Sequence, residues 1–160
     1  PTRRSSDLEI NVGKSTFINS FAGRSVAKTG NKPGVTKGKQ WIKLNKSVEL
    51  LDTPGILWPK FEDNTVGLHL AFIGSINDAI VEIRELALEL TDFLTCNYPG
   101  IINKRYGVDE SQQNHEIITD IAKNRNFVKK GSEFDFDKAA AVLIDEFRSG
   151  SLGNISLERP

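Results

Sequence analysis

NVGKST, at residues 11–16, is the stretch of this chain that decides its fold. In it, Gly13 lets backbone amides close around phosphate oxygens, the Lys14 ammonium can reach terminal phosphates, and the Ser15 hydroxyl can bind magnesium. The complete phosphate-binding pattern, G-x-x-x-x-G-K-[ST], begins with a glycine, but this chain has Leu8 at that position. The stretch therefore matches the second half of a phosphate-binding loop.

The residues that follow predict a helix, a long loop and a hairpin. The helix is indicated by apolar side chains at helical spacing that end at Gly23, namely Phe17, Ile18 and Phe21. Residues 24–38 combine glycines, a proline and polar residues without periodicity, and long loops of this kind commonly serve function. Two strands, Gln40–Leu44 and Ser47–Asp52, then flank Asn45-Lys46, a turn suited to an antiparallel hairpin.

Two further motifs lie on these elements in the order that a P-loop protein requires. Asp52-Thr53-Pro54-Gly55 ends the second strand, where the carboxylate can hold magnesium through water and the Gly55 amide can meet a γ-phosphate. In the long loop, Pro33-Gly34-Val35-Thr36 supplies a hydroxyl that can complete the magnesium shell. ATPases and kinases share the first motif, but D-T-P-G and a loop threonine favour a GTPase with two switch loops. Ile56 stands where Ras-like enzymes have a glutamine, and it cannot orient water by hydrogen bonding.

The second half of the chain predicts helices. After Asn77-Asp78, a predicted helix cap, apolar residues recur at helical spacing: Ile80, Ile83, Leu86, Ala87, Leu90, Phe93 and Leu94. Further helices are predicted at residues 64–74, 97–105, 114–124 and 135–149, the last led by Asp135 or Asp137 and ended by Gly150. The fold class is therefore α/β: a partial P-loop GTPase domain followed by an all-α C-terminal domain.

Composition indicates a soluble, folded protein. Of the 160 residues, 38% are hydrophobic and 26% are charged, and no apolar run approaches the roughly 18 residues of a membrane span. We therefore expect a cytoplasmic protein without a membrane partner. The single cysteine, Cys96, is predicted to be a buried helix residue.

Charge is divided unevenly, although the formal net charge is zero. Residues 1–60 hold 11 Lys and Arg against 4 Asp and Glu, and the remaining residues reverse this excess. The basic residues between Arg24 and Lys46 have no acidic residue among them: Arg24, Lys28, Lys32, Lys37, Lys39, Lys43 and Lys46. Such a segment attracts polyanions, and the alternative is an ordinary solvated surface. A second basic set can likewise be interpreted as a polyanion site or as a solvated surface; it consists of Lys123, Arg125, Lys129 and Lys130.

Together these motifs resemble the ribosome biogenesis GTPase A family, whose members are circularly permuted GTPases. The resemblance covers about residues 11–160 and includes N-V-G-K-S-T, P-G-V-T-K and D-T-P-G-I-L-W-P-K, together with D-F-D-K-A-A and D-E-F-R-S-G-S-L-G near the end. It implies that GTP or GDP contacts Asn11, Val12, Gly13, Lys14, Ser15, Thr16 and Gly55. It also implies that Ser15 and Thr36 bind magnesium, that Asp52 supports the ion through water, and that Asn11 helps to coordinate potassium. Lys14 and Thr36 are the implied catalytic residues.

The chain departs from this family pattern near its start. No N-K-x-D motif, which reads guanine, precedes Asn11, and Leu8 and Ile10 replace an expected glycine and proline. Neither His69 nor His115 matches the family's proposed catalytic histidine, so both are interpreted as structural or surface residues. We expect three segments: an unrelated leader at 1–9, a partial GTPase domain at 10–62 and a helical ribosome-binding domain at 63–160.

The resemblance implies a GTPase that assists late maturation of the large ribosomal subunit. Its expected partners are the large-subunit precursor and ribosomal RNA, with no DNA partner. A nucleotide-independent RNA- or ribosome-binding module is the main alternative. A permuted GTPase acting on another RNA, including that of a mitochondrial ribosome, is a third possibility.

Overall fold

A computed structural model describes residues 13–30, 38–43, 48–53, 64–76 and 81–158. The chain divides into two compact units, Pro1–Ile80 and Val81–Pro160. The predicted leader at 1–9 lies outside the described residues. The predicted boundary between residues 62 and 63 falls in the stretch 54–63, which is also outside them, and it stays a prediction.

The first unit contains one helix, a two-stranded sheet and a second helix among its described residues: α1 (Lys14–Ala22), β1 (Gln40–Lys43), β2 (Glu49–Asp52) and α2 (Asn64–Phe72). The α1 helix ends at Gly23, whose left-handed φ of 64° suits glycine. The strands pair antiparallel, with Gln40 opposite Asp52 and Lys43 opposite Glu49. The predicted helix and hairpin are therefore confirmed.

The hairpin packs one of its two faces against α1. Ile18 of α1, Ala27 of the following loop and Ile42 of β1 form a buried cluster, with Val26 and Leu50 packed against it. Side chains alternate across a strand, so the neighbours of Ile42 and Leu50 lie on the opposite face. We call that opposite side the outer face; it carries Trp41 and Leu51.

The second unit is built from four helices in its described part: α3 (Ile83–Asn97), α4 (Ile101–Tyr106), α5 (Asn114–Asn124) and α6 (Phe136–Arg148). Helices α3, α5 and α6 pack against one another, and α4 contacts α3. Their fully buried core includes Leu90, Leu94, Ile102, Ile117, Ile118, Ile121, Leu143 and Ile144. An isolated β-bridge joins Val128 and Phe134.

Two predicted helix boundaries were wrong. The third helix begins at Ile83 after Glu82, later than the predicted Asn77-Asp78 cap, whose residues lie outside the described part. The predicted helix at 97–105 is instead α4, because α3 continues to Asn97 and ends before Pro99. A proline disfavours helical backbone in the residue before it, and Tyr98 accordingly has φ −137° and ψ 55°.

Cys96 was predicted to be buried and is exposed. The buried stripe of α3 consists of Leu86, Ala87, Leu90, Thr91 and Leu94. Residues two apart in a helix differ by about 200° around its axis, so Cys96 faces away from the stripe that contains Leu94.

A polar cluster joins three helix ends in the second unit. The Arg105 guanidinium donates two hydrogen bonds to the Glu146 carboxylate, at 2.8 and 3.0 Å. The Tyr106 hydroxyl donates to the same carboxylate at 2.7 Å, and Arg125 lies 3.6 Å from it. The Arg105 hydrogen bond holds the pKa of Glu146 below its ordinary value, while burial raises the pKa of Tyr106.

This cluster predicts acid-sensitive stability. Because the pKa of Glu146 is lower in the folded than in the unfolded chain, its stabilising effect is present above the unfolded pKa and is lost as pH falls through the folded pKa. At pH 7, Glu146→Gln should lower the free energy of unfolding by about 1 kcal/mol, and the difference from the parent should be lost as pH falls through the folded pKa of Glu146. Urea unfolding across this pH range, with the exposed Glu89→Gln as control, measures the effect. A difference that is constant with pH would contradict it.

Candidate functional site

The start of α1 presents backbone amides at a glycine turn. Gly13 precedes the helix with a φ of 80°, a left-handed conformation that side-chain-bearing residues rarely adopt. Its carbonyl accepts the first helical hydrogen bond, from the Phe17 amide, at 2.9 Å. The first amides of a helix point out of its amino end, where the helix dipole also favours negative charge. Lys14, half-buried, is the first helical residue and lies at this same point.

Ser15 and Asp52 meet although 37 residues separate them in the chain. The Ser15 hydroxyl donates a hydrogen bond of 2.9 Å to Oδ2 of Asp52. Asp52 is the last residue of β2 and is only 1% exposed. This contact joins the first turn of α1 to the end of the strand that carries the D-T-P-G motif.

The donor set at this point suits a magnesium ion. A hydroxyl and a carboxylate oxygen are hard ligands, and Mg²⁺ commonly uses one or two such protein oxygens together with water and substrate phosphates. Within the described ranges, no group of three or more His, Cys, Asp or Glu side chains is placed to hold a metal. A magnesium ion at Ser15 and Asp52 would therefore need further oxygen ligands, which phosphates can supply.

An open cavity of about 400 Å³ lies beside Lys14 and Asp52. Its lining includes the motif residues Gly13, Lys14, Asp52 and Thr53 and the apolar residues Phe17, Ile18, Leu50 and Leu51. The structure thus brings four residues of the two predicted motifs to one cavity. Thr53 was not singled out from the sequence, although it belongs to D-T-P-G. Thr16, also a predicted contact, is exposed in the first turn of α1.

Sequence reasoning missed a third element of this region, the side chain of Asn19. Its Oδ1 accepts hydrogen bonds from the amides of Val26 and Ala27, at 2.9 and 2.8 Å, and its Nδ2 donates to the Ala27 carbonyl at 2.8 Å. We call this arrangement the Asn19 clasp. An asparagine inside a helix is a weak signal for such bonding, because its side chain competes for backbone groups.

Several predicted site residues fall outside the described residues. They are Asn11 and Val12 of the first motif, Thr36 of the long loop and Gly55 of D-T-P-G. Their assigned contacts with nucleotide, magnesium and potassium stay predictions. Leu8, Ile10 and Ile56 also lie outside the described part.

The described members of the first basic segment are all exposed: Arg24, Lys28, Lys39 and Lys43. The Arg24 guanidinium donates to the Lys43 carbonyl at 3.3 Å, which holds the two residues together. Lys43 lies 3.7 Å from Glu49, and both side chains are more than half exposed. The cations of this segment therefore face solvent.

The second basic set is largely paired with carboxylates. Lys123 lies 2.7 Å from Asp120, and Lys129 lies 2.6 Å from Asp137. Arg125 takes part in the Glu146 cluster and also lies over the Tyr106 ring, 5.3 Å from its centre. This pairing weakens the case for the set as a polyanion site.

The two histidines make ring contacts. His115 stacks on Phe136 with 4.7 Å between ring centres, and His69 lies 6.2 Å from Phe72 within α2. These contacts agree with the structural or surface roles predicted for both. No helix among the described residues is long and apolar enough to cross a membrane.

Comparison with known proteins identifies relatives along most of this chain. A ribosome biogenesis GTPase A of Bacillus cereus is 46% identical over 151 residues, which are 94% of this chain and 51% of that protein. The ribosome biogenesis GTPase A of Thermotoga maritima is 34% identical over 153 residues, covering 94% of this chain and 53% of the relative. The chain thus spans about half the length of these curated relatives.

Solved structures are also similar to this chain along most of its length. The GDP-bound structure of the Thermotoga maritima protein YlqF is similar with a TM-score of 0.61 and 28% identity, over 94% of this chain and 57% of that one. The structure titled GNP-bound YlqF, from the same organism, has a TM-score of 0.57 and 29% identity, over 93% and 55% of the two chains. The P-loop GTPase fold predicted from the motifs is therefore confirmed.

A family model described as 50S ribosome-binding GTPase matches residues 9–92, more than half of the chain. The matched segment includes the phosphate-binding stretch, both strands and the Ser15–Asp52 contact. The resemblance to ribosome biogenesis GTPase A is confirmed by the same comparisons. This chain belongs to the 50S ribosome-binding GTPase family.

Proposed function

We propose that this chain is part of a cytoplasmic GTPase that binds GTP with magnesium and acts in late maturation of the large ribosomal subunit. The observation that carries the proposal is the 2.9 Å hydrogen bond between Ser15 and Asp52. It places a hydroxyl and a carboxylate together at the amino end of a helix, in a chain whose family consists of GTPases. The printed titles of two similar structures name GDP and GNP, which supports a guanine nucleotide as the ligand.

In this proposal the described residues have separate roles at the phosphates. The amides from Gly13 to Thr16 bind phosphate oxygens, and the Lys14 ammonium offsets negative charge that develops on the terminal phosphate during hydrolysis. Ser15 would hold magnesium directly and Asp52 through water, and the ion when bound neutralises phosphate charge.

The remaining assignments of the proposal rest on the family resemblance. Thr36 joins the magnesium shell and acts with Lys14 in catalysis, while Asn11, Val12 and Gly55 contact the nucleotide. Asn11 also helps to hold potassium. Residues 10–62 belong to the GTPase domain, and residues 63–160 form a helical domain that binds the ribosome.

The proposed partners are the large-subunit precursor and its ribosomal RNA. Support comes from the exposed cations Arg24, Lys28, Lys39 and Lys43, since neutralising RNA phosphates releases counterions and drives association. The names of the relatives, which refer to ribosome biogenesis, agree with this assignment.

Titration of the 160-residue chain with fluorescent GTP, GDP and ATP, with and without magnesium, tests the proposal. GTP should bind in a magnesium-dependent way, and Ser15→Ala should weaken that binding by roughly tenfold or more because a direct metal ligand is lost. Ser20→Ala, which removes an exposed hydroxyl farther along α1, is the matched control. Binding that is unaffected by magnesium and by Ser15→Ala would contradict the proposed site.

The alternative function is a nucleotide-independent RNA- or ribosome-binding module. The exposed cations Arg24, Lys28, Lys39 and Lys43 favour it. RNA binding by this chain with no measurable nucleotide binding would favour the module.

A further inference from the structure

The first strand of the hairpin carries a cationic and aromatic pattern on one face. Lys39, Trp41 and Lys43 occupy alternate positions, so their side chains lie on the same outer face. Burial follows this alternation, since Trp41 is 70% exposed whereas Ile42 beside it is 6% exposed. Two residues along a strand span about 7 Å, which sets the spacing of each lysine from the indole.

The strand beside it extends this surface. Leu51 is the cross-strand partner of Trp41 and is 41% exposed, so a second exposed apolar residue lies beside Trp41 in the sheet. Glu49, opposite Lys43, is the one acidic residue of β2 on this face, and it lies 3.7 Å from the ammonium with both groups largely in solvent. An ion pair this exposed contributes little to stability, so the Lys43 ammonium can leave Glu49 and pair with another anion.

A third cation is held at the same strand. The Arg24 guanidinium hydrogen-bonds to the Lys43 carbonyl at 3.3 Å, which fixes its position beside β1. No acidic residue occurs between Arg24 and Lys46 in the sequence. An exposed indole with a lysine two residues away on either side is complementary to a ligand that offers both flat rings and negative charge.

Unpaired nucleotides in RNA have both properties. Their bases stack on aromatic side chains, and their phosphates pair with lysine and arginine. Bases in a duplex are already stacked on one another and are not available to a side chain on a flat protein surface. The pattern therefore favours single-stranded over double-stranded RNA.

We propose that the outer face of the hairpin is a stacking platform for an unpaired base of RNA. Trp41 stacks on the base, with Leu51 at its edge, and Lys39, Lys43 and Arg24 contact the adjacent phosphates. This inference rests on the proposed function, because it specifies how the ribosomal RNA partner is recognised.

Tryptophan fluorescence of the full chain tests the platform. The chain has two tryptophans, so Trp58→Phe leaves Trp41 as the single indole. The probe is an oligoadenylate RNA of about 12 nucleotides, free or annealed to its complement. Single-stranded RNA should quench the indole emission, and the duplex should not. Adding Trp41→Ala to this background should weaken binding roughly tenfold or more, measured by anisotropy of labelled RNA, and Trp41→Phe should retain most of it.

Phe21→Ala is the matched control, since Phe21 is 65% exposed in the same unit but is not flanked by lysines in the sequence. The Phe21→Ala variant should bind RNA with an affinity within twofold of that of its parent. Unchanged RNA binding in the Trp41→Ala variant, or equal quenching by duplex, would overturn the platform while leaving the proposed function in place. Magnesium-dependent GTP binding without any RNA binding would overturn the platform and the RNA partner but preserve the nucleotide site.

Discussion

Replacing Lys14 with alanine is expected to weaken GTP binding by roughly 100-fold, or about 3 kcal/mol. Lys14 is the first residue of α1 and borders the cavity beside Asp52. Hydrogen bonds between a charged donor and a phosphate are among the strongest in proteins, because both partners are ionised. Removing the ammonium also leaves phosphate charge unbalanced at the amino end of the helix.

Binding of fluorescent GTP in the presence of magnesium measures this effect. Lys14→Arg tests geometry, since a planar guanidinium keeps the charge but does not fit a site made for a compact ammonium. Lys104→Ala makes the same change of charge in the second unit and should leave the affinity within twofold. A Lys14→Ala protein that binds GTP as tightly as its parent would show that the phosphates lie elsewhere.

Replacing Asn19 with alanine is expected to lower the free energy of unfolding by about 3 kcal/mol. The substitution removes three hydrogen bonds, of 2.8 to 2.9 Å, and leaves the amides of Val26 and Ala27 without their acceptor. Ala27 is only 4% exposed, so water cannot readily replace the lost partner. Leaving a buried backbone donor unpaired costs about 1 to 3 kcal/mol.

Urea unfolding measures the loss, with Ser20→Ala on the same helix as the control. The stability of the Asn19→Asp variant should lie between those of Asn19→Ala and Ser20→Ala, because a carboxylate accepts from both amides but cannot donate to the Ala27 carbonyl. Hydrogen exchange of the Val26 and Ala27 amides should accelerate in the alanine variant. If exchange and unfolding are both unchanged, the Asn19 clasp does not hold the loop.

The elements with clear local signals were predictable from the sequence. The helix at 114–124 was placed at its observed bounds, because its apolar period and its polar ends coincide. Alternation of apolar residues around a short turn predicted the β1–β2 hairpin for the same reason. The α3 boundaries and the orientation of Cys96 were harder to predict. They depend on Pro99 and on which stripe of α3 packs against α5 and α6.

The candidate site also has parts that could be predicted from the sequence and parts that could not. The roles of Lys14, Ser15 and Asp52 toward phosphate and magnesium stay predictions, but the meeting of Ser15 with Asp52 was predictable because each residue type has a chemical role at a fixed place in a motif. The Asn19 clasp was not, since its partners lie seven and eight residues farther along a segment without periodicity. A contact between a helix side chain and a loop backbone leaves almost no pattern in the sequence.

The pairing register of the hairpin has a consequence for Asp52. Gln40 is the strand partner of Asp52, and side chains alternate between the two faces of a strand. A slip of one residue would turn the side chains of a strand to the opposite face. Asp52 would then point away from Ser15, and Leu51 would leave the outer face. The Ser15–Asp52 contact and the outer face therefore depend on one and the same register.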